Sequence, residues 1–183
     1  MILLDATAFA LLVNPNADAP SDPSSGQPVS LARERFAHLE AEAQRTGDTI
    51  LIPTPALAEV LVGVGDAGPA VLERIGRSAR FKIAEFDLMA AVELAAMTRE
   101  ALRAGDKKGG SSSPWQKVKI DRQIVAIARV RGVERIYSDD NGVAALAERI
   151  GMVVVRTWTM PLPPEEAQQD LLKGMGSDRL EES

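Results

Sequence analysis

The chain has 183 residues, with 21 Lys and Arg against 26 Asp and Glu, and a formal net charge of −5. This length fits one domain with insertions, and the acidic balance excludes binding of nucleic acid by bulk positive charge alone. The sequence contains no cysteine and one histidine, His38, which excludes disulfide scaffolds, thiolate metal sites and histidine-rich zinc sites.

Short apolar runs alternate with helical patterns along the whole chain. Strands are predicted at residues 1–4, 49–52, 80–85, 135–137 and 152–155, and helices at 6–13, 31–45, 54–62, 69–78, 88–103, 116–131 and 141–150. The alternation predicts an α/β protein, a three-layer α/β/α fold with a mostly parallel sheet of four to five strands. No apolar run approaches the ~20 residues that span a bilayer, so we expect a soluble cytoplasmic protein without a membrane partner.

Two inserts and a tail interrupt this pattern. Residues 14–30 are rich in Pro, Ser, Asp and Asn, and residues 105–114 (GDKKGGSSSP) are rich in Gly and Ser, compositions typical of surface loops and flexible linkers. The sequence beyond Met160 opens with prolines and becomes polar. We therefore predict one domain over residues 1–160, with loop insertions at 14–30 and 105–114, and a C-terminal extension over 161–183.

Asp87 is expected to cap a long helix over residues 88–103. Helical spacing predicts that its buried stripe consists of Leu88, Ala91, Val92, Ala95 and Leu102.

Four acidic positions occupy places where the local pattern favours an apolar residue or a turn. Asp5 closes the first strand, where it either faces a ligand site at the carboxyl edge of the sheet or caps the next helix. Glu59 is the only charged residue in the apolar segment ALAEVLVGV, and it is either paired inside or lies on a narrow solvent face. Asp121 shares a helix face with apolar residues three, four and seven positions later, which places a carboxylate on the packed side; the alternative is that it only complements the dipole of its helix.

The fourth position is the turn Ser138-Asp139-Asp140, between a predicted strand and a helix. One of these residues is expected to cap the helix. Because a parallel sheet gathers strand ends and inner helix faces, the four acidic positions are expected to meet in one cleft. Crowded carboxylates repel one another, and a hard divalent cation such as Mg²⁺ or Mn²⁺ relieves that repulsion. Such sites suit the cleavage of phosphoryl or phosphodiester bonds.

The same four motifs resemble those of the PIN-domain family, and within it the VapC-type toxins of toxin–antitoxin pairs. The resemblance rests on ILLDATAF with Asp5, TPALAEVLVG with Glu59, KIDRQIVAIA with Asp121 and IYSDDNGV with Ser138 and Asp140. Their order and spacing agree with the family from residue 1 to about 157. Asp139, next to Asp140, is an alternative fourth acid.

The resemblance implies a PIN-like fold and a ribonuclease that cuts RNA with Mg²⁺ or Mn²⁺ and an activated water. In that picture Asp5, Glu59, Asp121 and Asp140 form a catalytic, metal-binding pocket, with Asp5 and Asp121 as the most direct metal ligands. Ser138 orients a carboxylate or a metal-bound water. The family also implies a homodimer and, for a toxin, a small antitoxin protein as partner.

A basic strip precedes Asp121. Lys117 and Lys119, with Trp115 beside them, are candidates for holding RNA phosphates and stacking a base; a solvated loop is the alternative.

Two further functions stay open on the sequence alone. The opening LLDATAF and the later SDDNGV also resemble a haloacid-dehalogenase-type phosphatase with Asp5 as nucleophile, although Thr7 stands where that family has its second acid. A third possibility is a non-catalytic PIN-like binding protein that retains these acids as helix caps.

Overall fold

The structure is a computed structural model that describes residues 1–164. Most of the predicted C-terminal extension, residues 165–183, lies outside the described residues. The elements are β1 (Ile2–Leu4), α1 (Ala6–Val13), α2 (Ala32–Thr46), β2 (Ile50–Pro53), α3 (Thr54–Val64), α4 (Gly68–Arg77), β3 (Phe81–Ala84), α5 (Leu88–Arg103), α6 (Trp115–Val130), β4 (Arg135–Tyr137), α7 (Asn141–Arg149) and β5 (Val153–Val155). Short 3₁₀ turns follow α3 and β5.

Five parallel strands form one sheet in the order β3-β2-β1-β4-β5. The central strand β1 is buried along its whole length, because helices cover both faces of the sheet and a continuous apolar run satisfies both. In register, Ile2 lies between Ile50 of β2 and Arg135 of β4. The predicted three-layer α/β/α fold with a parallel sheet is confirmed.

Helices form a hydrophobic core on each side of the sheet. On one side, α1, α2 and α4 pack around the aromatic residues Phe9 and Phe36. On the other side, the apolar stripe of α6, including Ile124 and Val125, packs with α7. Helix α3 contributes Leu57 to the first core and Ala56 to the second.

The strand order creates a crevice at the carboxyl edge of the sheet. From β1 the chain moves to β2 and β3 on one side, whereas β4 and β5 lie on the other side. In open parallel sheets ligands bind where the strand order reverses in this way. Asp5 follows β1 and Ser138 follows β4, so both lie at this crevice.

Helix α5 does not bury the predicted stripe. Leu88 is 78% exposed, Val92 57% and Leu102 53%, and Ala95 is exposed as well. The helix instead buries the small residues Ala90 and Ala101. These small side chains let α5 lie close to α6. Leu88, Val92 and Leu102 lie on the opposite, outward side. Periodicity failed here because apolar residues occur nearly all round the helix.

The helical stretch Thr54–Arg77 has the length and apolar composition of a membrane-spanning helix. Here it is two helices, α3 and α4, separated by the 3₁₀ turn Gly65–Ala67. One face of each helix, with Val60 and Val71 among the buried residues, belongs to the first core. The stretch is therefore an integral part of the α/β domain.

Candidate functional site

Asp5 and Ser138 join the ends of β1 and β4. The Oδ1 atom of Asp5 accepts a hydrogen bond from the backbone N–H of Ala8 at 2.8 Å, which caps α1. Its Oδ2 atom accepts a bond from the Ser138 hydroxyl. Burial raises the pKa of Asp5 to about 7, against these two hydrogen bonds, and the charges of Asp139 and Asp140 raise it further. Asp5 is only 3% exposed. Its side chain therefore does both things that the sequence suggested: it caps α1, and it lies at the carboxyl edge of the sheet.

Asp121 lies on the buried face of α6, as its sequence pattern predicts. It is 3% exposed, and Ile124, Val125 and Ala128 on the same face are buried with it. Burial, followed by the charge of Asp140, raises the pKa of Asp121, although Lys117 opposes them. The Oδ2 atom of Asp121 is the one buried side-chain oxygen or nitrogen without a hydrogen-bond partner in the described part of the chain.

Lys117 bridges two of the predicted acids. Its Nζ donates to Asp140 Oδ2 at 2.5 Å and lies 3.3 Å from Asp121 Oδ1. Burial lowers the pKa of Lys117, but the two carboxylates outweigh burial and hold it above its ordinary value. The same ammonium holds the pKa of Asp140 below its usual range, against the effect of burial. A cation one helical turn before Asp121 thus offsets part of the charge of the pocket.

The two neighbouring acids after β4 have different surroundings. The Asp139 carboxylate turns towards β5, where it accepts bonds from the backbone N–H and the hydroxyl of Thr157 at 2.8 and 2.5 Å. Asp140 caps α7 through Oδ1, which accepts from the N–H groups of Gly142 and Val143. Its Oδ2 atom faces Lys117. Of the two, only Asp140 therefore shares a partner with Asp121.

Gly142 allows α6 and α7 to approach at the site. A Cβ atom at this position would overlap Oδ2 of Asp121. The absence of a side chain keeps Asp121 against the first turn of α7, where partial positive charge of the helix stabilises a nearby anion. The sequence motif SDDNGV contained this glycine, but spacing alone did not indicate which side chain it makes room for.

Glu59 lies at the margin of the site. It is exposed on α3 and lines a shallow cavity of about 330 Å³ with Thr7, Asn14 and Asp18. Its charge raises the pKa of Asp121, but less than burial and the charge of Asp140 do. The solvent-face interpretation thus describes Glu59 better than an inward pair.

The residues of the basic strip before Asp121 have different surroundings in the structure. Lys117 is engaged by the two carboxylates, whereas Lys119 is exposed on α6. Trp115 is half-buried at the start of α6, with the Lys107 ammonium 4.1 Å from its ring centroid. Only Lys117 of these candidates contacts the acidic residues, and their proposed contacts with RNA stay a prediction.

Arg156 is a site residue that the sequence interpretation missed. It directly follows β5, and its guanidinium donates to the Ser138 carbonyl and to Asn141 Oδ1 at 3.3 and 3.1 Å. The strand-end rule that selected Asp5 and Ser138 would also have selected Arg156, because β5 is parallel to β1 and β4 and ends at the same edge.

The residues present fit a hard divalent cation in their chemistry. In the described residues, no three Asp, Glu or His side chains converge into a group that could hold one ion. Mg²⁺, however, is commonly held by one or two carboxylates and several waters. Asp121 and Asp140 supply two carboxylates, which here both contact the Lys117 ammonium. The Oδ2 atom of Asp121, which has no hydrogen-bond partner, supplies a buried oxygen for the ion.

Comparison with known proteins relates this chain to toxins of known structure. No known family profile matches the sequence, and no curated protein matches it either. The fold is similar to a chain of VapBC2 from Rickettsia felis bound to a promoter DNA fragment, with TM-score 0.52 and 15% identity over 85% of this chain and 98% of that one. It is also similar to Mycobacterium tuberculosis VapC20, a toxin that cleaves the sarcin–ricin loop, with TM-score 0.51 and 17% identity over 88% and 100% of the two chains.

A third similar structure is a chain of the DNA-bound VapBC complex from Salmonella typhimurium, with TM-score 0.50 and 18% identity over 85% and 97% of the two chains. At such low identity the likeness concerns the fold. The PIN-like fold that the four motifs implied is thus confirmed over most of the chain.

Proposed function

We propose that this protein is a metal-dependent endoribonuclease that cleaves RNA phosphodiester bonds, and that it is the toxin of a toxin–antitoxin pair. The observation that carries the proposal is the acidic pocket at the carboxyl edge of the sheet, where Asp121 and Asp140 share Lys117 next to the Asp5–Ser138 pair. Its support from outside the chain is the fold shared with VapC20, which cleaves the sarcin–ricin loop.

Different residues of the site would bind the metal ion and the RNA strand. Asp121 and Asp140 would hold Mg²⁺ or Mn²⁺. Asp5, which the resemblance made a direct ligand, would lie beside the ion, because both of its carboxylate oxygens already accept hydrogen bonds. Bound there, the ion would polarise the phosphate and lower the pKa of an attacking water. The Ser138 hydroxyl fixes the orientation of Asp5 and accepts a bond from the Asp140 N–H at 3.1 Å, so it aligns two acids at once. Arg156 offers a cation to the phosphate at the same edge.

The direct test is cleavage of single-stranded and structured RNA by the purified protein. We expect products with Mg²⁺ or Mn²⁺ and none with EDTA, because the carboxylates alone do not activate water. RNA cleavage of equal rate in EDTA would contradict the metal requirement. No cleavage of any RNA with either ion would contradict the nuclease proposal and favour a non-catalytic binding protein.

Lys117→Met is expected to tighten Mn²⁺ binding by about tenfold, because the ion no longer competes with the ammonium for Asp121 and Asp140. In EDTA the same change should lower the free energy of unfolding by about 1 kcal/mol, since a partly exposed ion pair is lost. Calorimetric titration with Mn²⁺ and urea denaturation measure the two effects. Lys119→Met, on the same helix but exposed, is the matched control, and equal Mn²⁺ affinity in both variants would contradict this role of Lys117.

The phosphatase alternative is not favoured. A nucleophilic Asp5 needs a free oxygen directed at phosphorus, yet both of its oxygens are hydrogen-bonded, one by Ala8 and one by Ser138. A phosphorylated Asp5 trapped from a phosphate ester would restore that alternative.

An antitoxin is the proposed partner protein. Two of the similar structures are VapBC complexes, and a small protein that covers the acidic edge would block access of RNA. A short reading frame for a DNA-binding protein directly upstream, whose product co-purifies with this chain and stops RNA cleavage, would support the pair. We also propose that the protein works in the cytoplasm.

A homodimer through α5 is the proposed assembly. The outward face of α5 carries Leu88, Val92 and Leu102, all more than half exposed, with the exposed Arg99 between Val92 and Leu102. Exposed apolar side chains grouped on one helix face mark an interaction site. Exposed Glu85 lies just before the helix and exposed Arg103 at its end. A two-fold axis that pairs two such helices antiparallel brings opposite charges together and buries the apolar face of both copies.

Val92→Glu is expected to convert the dimer to a monomer with the fold retained, because position 92 is 57% exposed within one copy and a buried unpaired charge at an interface is costly. Light scattering after size-exclusion chromatography measures the mass. Leu72→Glu on α4, at a 44% exposed position, is the control and should keep the dimer mass. The assembly is contradicted by a monomeric wild type or by an unchanged mass for Val92→Glu.

A further inference from the structure

The insert at residues 105–114 has a fixed position next to the acidic site. Arg122 of α6 donates to the Lys107 carbonyl at 2.7 Å, and Arg149 of α7 donates to the Gly109 carbonyl at 2.8 Å. Inside the insert, the Asp106 carboxylate accepts from the N–H groups of Lys108 and Gly110. The buried Arg122 side chain, 1% exposed, thus ties the insert to α6, and it also donates to the Thr98 hydroxyl of α5 at 3.4 Å.

The fixed insert encloses a cavity of about 290 Å³ that ends at Asp121. Residues 108–113 form one wall, and Val118 and Ala145 belong to the wall contributed by α6 and α7. Arg149 and Lys108 bring positive charge to the cavity. We call this cavity the insert pocket. It is distinct from the shallow cavity at Glu59 on the other side of the acidic residues.

The size and lining of the insert pocket match one nucleotide. Its volume is at the lower end of the roughly 300–1,000 Å³ of ligand pockets, which suits one nucleoside and excludes a large cofactor. Apolar residues such as Val118 and Ala145 provide a surface for the flat base. The hydroxyls of Ser112 and Ser113 and the carbonyls of this segment can bond its edge, whereas the N–H groups of Ser111 and Ser113 are bonded within the insert. Proteins that recognise single-stranded RNA hydrogen-bond the edges of splayed bases in this way.

We propose that the insert pocket binds the base and sugar of the RNA nucleotide next to the cleaved phosphodiester bond, and so sets the sequence preference of cleavage. The proposal rests on the proposed nuclease function, because it places that nucleotide beside Asp121. Arg149 is the cation for the flanking phosphate. When this nucleotide is bound in the insert pocket, the adjacent phosphodiester bond of the RNA lies at the acidic residues.

The test measures nucleotide binding without catalysis. The full chain in EDTA is titrated with each of the four ribonucleoside 5′-monophosphates by calorimetry, and backbone amide shifts are mapped by NMR. We expect at least one nucleotide to bind and to shift the amides of residues 108–113 and 141–146. Ala145→Phe, at an exposed position on α7, fills the pocket and should weaken that binding by about tenfold or more. Ala37→Phe, exposed on α2, is the matched control and should bind as the wild type does.

A second variant tests the cation. Arg149→Gln should reduce the affinity for the monophosphate to that for the corresponding nucleoside. Because Arg149 also donates to the Gly109 carbonyl of the insert, the affinity of this variant for the nucleoside is measured too, and it should equal that of the wild type. Thermal melts establish that each variant is folded. If Ala145→Phe does not fold, the affinity of Arg149→Gln and the positions of the shifted backbone amides test the proposal instead. The proposal is overturned when no nucleotide binds to the wild type, when the shifts lie elsewhere, or when folded Ala145→Phe binds equally well.

Failure of the pocket and failure of the nuclease are separable. RNA cleavage by the wild type without nucleotide binding in EDTA rejects the pocket and keeps the nuclease. Binding without cleavage of any RNA keeps the pocket and rejects the nuclease. When both hold, Ala145→Phe should also change which sequences are cleaved, whereas Ala37→Phe should not.

Discussion

Asp121→Asn is expected to reduce metal-dependent RNA cleavage by on the order of 10³-fold, because an amide is a weak ligand for a hard cation and metal stabilisation of the transition state amounts to several kcal/mol. The free energy of unfolding in EDTA should stay equal or rise. Asp121 is buried with one oxygen unpartnered, and burial raises its pKa, so its ionised form is a cost to the folded protein. Single-turnover cleavage with Mn²⁺ and urea denaturation in EDTA give the two numbers.

Asp139→Asn is the matched control. Its carboxylate is bonded to Thr157 rather than to Lys117, so the change should leave cleavage within about tenfold of wild type, below the roughly 10–100-fold loss seen for residues that support metal ligands. Equal losses in Asp139→Asn and Asp121→Asn would contradict the assignment of Asp140 as the fourth acid. A stability loss in Asp121→Asn that accounts for its inactivity would contradict a chemical role for Asp121.

The second expected result concerns pH. Burial raises the pKa of Asp5 from 3.8 to about 7, so between these values the folded chain holds a proton that the unfolded chain releases. The stabilisation from Asp5 is complete below about pH 4 and is lost as the pH rises through 7. The free energy of unfolding of the wild type relative to Asp5→Asn should therefore fall by up to about 4 kcal/mol over this window.

The measurement is urea denaturation in EDTA across this pH range for wild type and Asp5→Asn, which removes the ionisation and keeps an oxygen for the Ala8 N–H. Asp87→Asn is the control, because Asp87 also caps a helix, α5, but its pKa is lowered by its hydrogen bond to Ala90 and by Arg131. The difference between wild type and Asp87→Asn should not fall over the same window. A wild-type curve that stays parallel to that of Asp5→Asn contradicts the raised pKa.

Much of the site followed from local pattern. Asp121 was predicted on the packed face of its helix because apolar residues at three, four and seven positions define that face, and it is buried there. Asp5 and Ser138 were placed together because parallel strands end at one edge, and they are hydrogen-bonded. In both cases the informative neighbours lie within one element or follow from one rule of sheet topology.

Contacts between distant elements did not follow from the sequence. Lys117 was predicted as an RNA contact, and its bond to Asp140 depends on how α6 packs against α7. Likewise, Arg122 and Arg149 fix an insert whose composition suggested flexibility. Side chains of this length reach several partners, and only the relative position of the helices selects one.

The sequence by itself determined the layers, the parallel sheet and the acidic edge, because strand and helix periods and strand-end positions are local properties. The tertiary structure decided which acid of the Asp139–Asp140 pair faces Asp121, which face of α5 is left outside, and that the insert forms a pocket. Each of these depends on the rotation and distance of packed elements, which a period along one chain segment does not encode.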